Sequence, residues 1–135
     1  AAALLARGLS PERPIAILSG NDIEHALLGL AAMHVGVPYA PISVPYSLMS
    51  QDFKKLAAII EILTPGLVFA GSGVAFARAI AAAVPAGVEV VVTAKPPMWS
   101  RSLVSRGAMK SDKLRFGSAS VFCVWLRKKH SRAKT

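Results

Sequence analysis

Residues 14–41 read PIAILSGNDIEHALLGLAAMHVGVPYAP, which is a strand–helix–strand pattern. The short apolar run behind Pro14 predicts a buried strand that ends at about Ser19. Three prolines by position 45 exclude a central antiparallel strand at the end of this stretch, but they allow a short parallel strand that leads into a loop. Two strands joined by a helix predict a parallel βαβ unit.

The helix of this unit is predicted from the turn at Asn21 to about Val35. Asn21 and Glu24 have the spacing of a capping box, and Asp22 adds negative charge at the helix N-terminus. Gly36 is expected to end the helix. The helix has a broad apolar face, as expected of a helix that packs on a core, and its members are Ile23, Ala26, Leu27, Leu30, Ala31 and Met33.

The alternation of helices and strands continues to residue 94. Ser50 is a good N-cap for the next helix, whose apolar stripe consists of Phe53, Leu56, Ala57, Ile60 and Leu63. The β-branched run before Thr93 is typical of a parallel sheet that is covered on both faces. The sequence therefore predicts an α/β fold, with a mostly parallel sheet, flanking helices and right-handed crossovers. The remaining predicted elements are helices at 51–63 and 74–83 and strands at 67–70 and 88–93.

The charge of the chain divides near residue 95. Residues 1–94 contain five Lys and Arg against six Asp and Glu, whereas residues 95–135 contain eleven Lys and Arg and one acid, Asp112. The net charge of +9 therefore belongs to the last 41 residues. We expect two parts, a partial α/β domain at 1–94 and an irregular basic tail at 95–135, which is disordered or non-native.

Three interpretations of the tail stay open. It binds nucleic acid, with Trp99, Phe116 and Trp125 as stacking surfaces among the basic residues. It lies on an anionic membrane, with the apolar residues 121–126 beside Arg127, Lys128 and Lys129. Or it is non-native sequence, such as the product of a shifted reading frame, which the abrupt change of composition favours.

Two turns are candidate phosphate sites, because such a site needs backbone N–H groups that converge at a helix N-terminus. The turn Ser19-Gly20-Asn21-Asp22 is neither a dinucleotide fingerprint nor a Walker A motif, and Asp22 would repel a phosphate. Gly71-Ser72-Gly73 lies between a strand and a helix, but a plain turn is the favoured interpretation. The missing glycine fingerprint also argues against a dinucleotide-binding domain.

No catalytic, cofactor-binding or metal-binding residue is predicted. His25 and His34 are nine positions apart on one helix and point in opposite directions, so they cannot share a metal. His130 lies in the basic tail. Cys123 is the only cysteine, which excludes an intramolecular disulfide. No Gly-x-Ser-x-Gly motif occurs, and Glu24 and His25 are adjacent, so they do not face each other on a helix.

Within residues 1–94 the chain resembles the N-terminal region of the adenylate-forming superfamily of acyl- and aryl-CoA ligases, luciferases and peptide-synthetase adenylation domains. The signature is an Asn in the turn after a strand, a helix, then Gly-x-x-Tyr-x-Pro and a second proline, here Asn21, Gly36, Tyr39, Pro41 and Pro45. The stretches AILSGNDIEH and PYAPIS are most similar to the corresponding stretches of feruloyl-CoA synthetases. Residues 52–56 and 63–70 resemble the same subgroup.

The resemblance implies a cytoplasmic enzyme that uses ATP, Mg²⁺ and CoA to convert a carboxylic acid, such as a hydroxycinnamate, into an acyl-adenylate and then a thioester. The Gly-x-Pro-Lys phosphate loop of the family is absent, and residues 116–120 (FGSAS) lack both its proline and its lysine. The adenine-binding, ribose-binding and late lysine elements are absent too, so no catalytic residue is carried over. We expect an inactive fragment that binds no cofactor, whose natural N-terminus lies upstream because the chain begins AAALLARG without Met. The alternative is a small α/β binding module whose basic tail contacts nucleic acid or an anionic membrane.

Overall fold

The computed structural model describes residues 1–93 together with the backbone of residues 123–126. The fold is α/β, as the sequence predicts. The helices are α1 (Ala2–Leu5), α2 (Ile23–His34), α3 (Pro45–Leu48), α4 (Lys54–Leu63) and α5 (Ala77–Ala83). The strands are β1 (Ile15–Leu18), β2 (Tyr39–Pro41), β3 (Leu67–Ala70), β4 (Glu89–Val92) and β5 (Cys123–Leu126).

The sheet has the strand order β2-β1-β3-β4-β5, and its first four strands are mutually parallel. Ile15 pairs with Tyr39 on one side and with Leu67 on the other, and Leu67 pairs with Glu89. β5 adds an antiparallel edge, in which Leu126 pairs with Glu89. The parallel sheet and its flanking helices confirm the fold expected from the sequence.

The expectation of an irregular tail is wrong for Cys123–Leu126, which form β5. Parallel sheets often carry such an antiparallel edge strand, because one apolar run of four residues is enough to extend the hydrogen-bond ladder. The pairing partner, β4, lies more than 30 residues earlier, so no local pattern indicates it. The other parts of the tail, with Trp99, Phe116 and His130, lie outside the described residues.

The sheet separates two apolar clusters, because alternate residues of each strand face opposite sides. One cluster joins Ala16, Val68 and Val90 to α4 and α5. The other joins Ile15 and Phe69 to α1, α2 and the loops that follow them. Every residue of β1 and β3 is buried, which confirms a sheet covered on both faces.

Helix α4 packs as its apolar stripe predicts. Phe53, Leu56 and Ile60 are buried, and Lys54 and Glu61 are exposed. Its start differs, however, from the predicted cap at Ser50. The Ser50 hydroxyl accepts from the Phe53 N–H at 3.1 Å within a turn, and Phe53 has φ 53°, so regular helix begins only after it. The α5 prediction is also too long, because a turn occupies residues 74–76.

Helix α2 has the opposite orientation to the one its composition predicts. Its apolar face points outward, with Ile23 75%, Leu27 59%, Leu30 60% and Met33 57% exposed. On the inner face the small residues Gly29 and Ala32 are buried, and Leu28 and Ala31 are partly buried against the core. A Cβ at Gly29 would lie 3.0 Å from Tyr39 Cζ, so the missing side chain lets α2 approach the edge strand β2.

Among the described helices, none combines the length with the apolar character that a membrane crossing requires.

Candidate functional site at the carboxyl edge of the sheet

The carboxyl ends of β1 and β3 are where a parallel α/β sheet of this order would bind a ligand. The chain leaves β1 towards β2 on one side and reaches β3 on the other, so a switch of direction lies between β1 and β3. The turn after β1 and the segment after β3 meet there, because the Gly71 N–H donates to the Leu18 carbonyl at 3.1 Å.

Asp22 is the N-cap of α2, and not Asn21 as the capping-box spacing suggests. Its Oδ1 accepts from the His25 N–H at 2.7 Å, and its backbone is extended, with φ −120° and ψ 164°. A carboxylate therefore already occupies the place where an anion would meet the free N–H groups of this helix. The turn therefore caps α2, as the sequence predicts, although through Asp22 and not through Asn21.

Ser19 and His25 are in contact, which the sequence did not predict. Ser19 is 6% exposed, and its Oγ lies 3.1 Å from His25 Nδ1 and 3.2 Å from the Gly20 carbonyl oxygen. His25 Nδ1 also lies 3.0 Å from that carbonyl oxygen. With the proton on Nδ1, the imidazole and the Ser19 hydroxyl both donate to that carbonyl; with the proton on Nε2, the hydroxyl can donate to Nδ1 instead.

This hydrogen-bond polarity decides what the pair can do. A base that activates a serine must accept the hydroxyl proton through a free nitrogen lone pair. The tautomer with the proton on Nδ1 is the one that satisfies the Gly20 carbonyl, and in it the contact between His25 and Ser19 holds the turn without activating the hydroxyl. Asp22 binds the backbone of His25 and not its ring, so no Ser–His–Asp relay forms either.

Polar groups of the segment Gly71-Ser72-Gly73 also form hydrogen bonds within the protein. The Ser72 hydroxyl accepts a hydrogen bond from the Ala75 N–H at 3.3 Å. The backbone carbonyl of Ser72 accepts one from the Phe76 N–H at 3.1 Å. The Thr93 hydroxyl donates to the Gly71 carbonyl at 2.9 Å. A turn at residues 73–76 separates Gly71 and Ser72 from α5, so the structure has the plain turn that the sequence favours.

Gly71 permits the close approach of these two loops. A Cβ at this position would lie 3.0 Å from Asp22 Oδ2 and 3.2 Å from Ser19 Cβ. The sequence singled out both turns, but it did not predict that they contact each other, that Ser19 contacts His25, or that Thr93 binds the Gly71 carbonyl. Only the place of Gly71 after a strand hinted at such a contact.

No group of three or more metal-ligating side chains occurs in the part of the chain that the structure describes. His34 is exposed at the end of α2, at the opposite end of the helix from His25.

An open groove of about 510 Å³ lies at the other edge of the sheet, where the parallel strands begin. Its only polar or charged lining residues are Glu12 and Thr64. The Ser10 hydroxyl donates to Glu12 at 2.8 Å, which lowers the pKa of that carboxyl group. Ligand sites need several converging polar groups to orient a ligand, so this groove is not a convincing binding site. The residues that line it are Pro11, Glu12, Pro14, Pro38, Ile59, Ile62, Leu63 and Thr64.

The five positions that carry the family resemblance have backbone and packing roles. Gly36 ends α2 with φ 70°, and Tyr39 packs against Gly29. Pro41 ends the edge strand β2, and Pro45 is the first residue of α3. The fifth, Asn21, lies in the turn before α2 and is exposed.

No protein-family model, no curated protein and no solved structure matches this chain.

Proposed function

We propose that residues 1–94 are a scaffold portion of the N-terminal domain of an adenylate-forming acid–CoA ligase, most like feruloyl-CoA synthetases, and that the chain is inactive without the rest of that enzyme. The observation that carries the proposal is the placement of the five family-like positions on one unit, from the turn before α2 to the start of α3. There they serve turns, a helix end and an edge strand, as scaffold residues would.

The chemistry of the carboxyl edge supports the second half of the proposal. The two candidate phosphate turns are occupied by their own side chains, Asp22 and Ser72, and the phosphate loop of the family is absent from the sequence. The described residues offer no carboxylate cluster for Mg²⁺. They therefore do not fit ATP and its metal, and no catalytic step is assigned to them. ATP, CoA and a hydroxycinnamate-like acid are the substrates of the proposed parent, which we place in the cytoplasm.

The inactivity is tested by incubating the purified chain with ATP, Mg²⁺, CoA and ferulate. Pyrophosphate release and the thioester absorbance are followed together, because they report the two half-reactions separately. We expect neither signal above that of a sample without the acid. Acid-dependent release of pyrophosphate would contradict the proposal, since it would show that an adenylation site exists in this chain.

The parentage is tested at the encoding locus. We expect a neighbouring reading frame to continue the family pattern after codon 94 and to encode a Ser/Thr/Gly-rich stretch that ends in Gly-x-Pro-Lys. If residues 95–135 are the only open continuation, the ligase proposal loses its main expectation and the basic segment must be treated as native.

A binding module is the second candidate, because the net positive charge of the chain lies in residues 95–135. Replacing Arg127, Lys128 and Lys129 with Gln should then reduce the slope of log affinity against log salt by about 3 for duplex DNA. The matched control replaces Lys54 and Lys55, which are exposed on α4. Vesicles with anionic lipid test the membrane alternative in the same way. If the tail variant and the α4 variant have the same salt slope on duplex DNA and also on anionic vesicles, the binding-module candidate is rejected.

A further inference from the structure

The outer face of α2, defined here as Ile23, Ala26, Leu27, Leu30 and Met33, is the largest group of exposed apolar side chains on one described element. It contains no charged residue. The opposite side of the helix is also apolar, since Gly29 and Ala32 pack on the sheet. A helix with apolar residues on both of these faces is suited to burial between two layers, because water solvates neither face well.

The other helical layer shows that this is not a general property of the fold. The outward side of α4 carries Lys54, Lys55 and Glu61, all exposed, as expected for a face that meets water. Leu5 of α1, on the same side of the sheet as α2, is 56% exposed and adds to the apolar area. The outward side of α4 thus mixes these charges with one exposed apolar side chain, Ile62 at 84%, whereas the outer face of α2 carries four large exposed apolar side chains and no charge.

We propose that the outer face of α2 pairs with the same face of a second copy of this chain, with the two helices antiparallel about a two-fold axis. Ile23, Leu27, Leu30 and His34 have spacings of four, three and four residues, which is the seam of a helix pair. The two-fold axis passes between Leu27 and Leu30. Leu27 of each copy then lies opposite Leu30 of the other copy. Ile23 then lies opposite His34.

The acidic start of α2 and its helix dipole favour the antiparallel arrangement. Acidic side chains, Asp22 and Glu24, lie at its start, and His34 lies in its last turn. Antiparallel pairing places the imidazole of each copy beside the acidic start of the other and opposes the two helix dipoles. The two Glu24 side chains are then separated by about nine residues, or ~13 Å, which exceeds the screening length of ~8 Å at physiological salt. Parallel pairing would bring like charges together.

The expected dimer is weak. A helix of 12 residues is about 18 Å long, so α2 with its neighbours covers less than the ~800 Å² per partner that stable complexes bury. The association should therefore depend visibly on protein concentration. This inference rests on α2 and its surroundings and is independent of the ligase proposal.

Sedimentation of the full chain over a hundredfold range of concentration tests the pairing. We expect the mass to rise from one chain to two and no further. The Leu27→Lys, Leu30→Lys variant should remain monomeric at concentrations at least tenfold higher, because like charges then meet across the axis. The control is Ile62→Lys, an exposed apolar residue of α4, which should dimerise like the parent chain.

Mixing variants of opposite charge shows whether the Lys variant is monomeric because the helices no longer pair or because its fold has changed. The Leu27→Glu, Leu30→Glu variant should also be monomeric, and an equimolar mixture with the Lys variant should form a one-to-one dimer. Antiparallel geometry brings each Glu against a Lys in that mixture. A parent chain that stays monomeric, a mass beyond two chains, or Lys and Glu variants that dimerise separately would each overturn the proposal. A monomeric parent would instead leave the face for a further segment of a longer polypeptide.

Discussion

At the scale of single residues, Gly71 illustrates how tightly the two loops at the carboxyl edge are packed. Gly71→Ala places a methyl group 3.0 Å from Asp22 Oδ2, and the cap to the His25 N–H prevents that carboxylate from moving freely. We expect the free energy of unfolding to fall by about 1–3 kcal/mol, as for other insertions into packed sites. Urea denaturation measures it.

Gly20→Ala is the matched control, since a Cβ at Gly20 has no atom within 4 Å. Its effect should stay within about 0.5 kcal/mol. Equal losses for the two variants would show that the loops do not approach each other as described.

At the scale of the element, the start of α2 depends on one carboxylate. Asp22→Ala removes the acceptor of the His25 N–H and should lower the free energy of unfolding by about 1 kcal/mol. Asp22→Asn keeps an acceptor oxygen and should stay close to the parent chain. Thermal melts of the two variants, side by side, separate the loss of the cap from the loss of the charge.

The capping-box spacing in the sequence assigns the N-cap of α2 to Asn21, whereas the structure assigns it to Asp22. The Asn21→Ala variant tests the assignment to Asn21. The exposed Asn21 side chain should be replaceable within about 0.5 kcal/mol. A larger loss at Asn21 than at Asp22 would reverse the assignment.

The edge strand β5 is an element with a direct test. Its backbone pairs with β4, so the amides of Cys123–Leu126 that point to β4 should exchange hydrogen slowly. Hydrogen–deuterium exchange on peptides that cover these residues measures this, with the exposed turn at residues 51–52 as the fast reference. Exchange as fast as in that turn would show that the sheet ends at β4.

At the scale of the whole molecule, Arg7 fastens the N-terminal segment to β4. Its Nε donates to Glu89 Oε1 at 3.0 Å, and the two side chains are 19% and 17% exposed. A cycle of Arg7→Met and Glu89→Gln should give a coupling of about 1 kcal/mol, because the pair is largely shielded from water. Urea denaturation of the four proteins provides the cycle.

The exposed pair Lys54–Asp52, with 3.5 Å between Nζ and Oδ2, is the comparison. A cycle of Lys54→Met and Asp52→Asn should show no measurable coupling, since both groups are solvated. The pKa of Asp52 is lowered chiefly by a hydrogen bond from the Lys54 N–H, and the Lys54 ammonium group contributes less. Coupling at Lys54–Asp52 as large as at Arg7–Glu89 would show that burial does not govern these pairs.

The sequence by itself determined the elements whose signals are local. The strands β1, β3 and β4, the stripe of α4 and the stop at Gly36 all follow from periodicity or from backbone freedom within a few residues. The absence of a phosphate loop was also readable, because that motif is a contiguous stretch.

Only the tertiary structure decided the orientation of α2, the contact between Ser19 and His25, and the edge strand β5. An apolar face marks a side that avoids water, but it does not say which neighbour covers it. At Gly29 the need for close approach to Tyr39 outweighed the burial of larger side chains on the opposite face. These outcomes depend on residues distant in the chain, whose distances exist only once the sheet has formed.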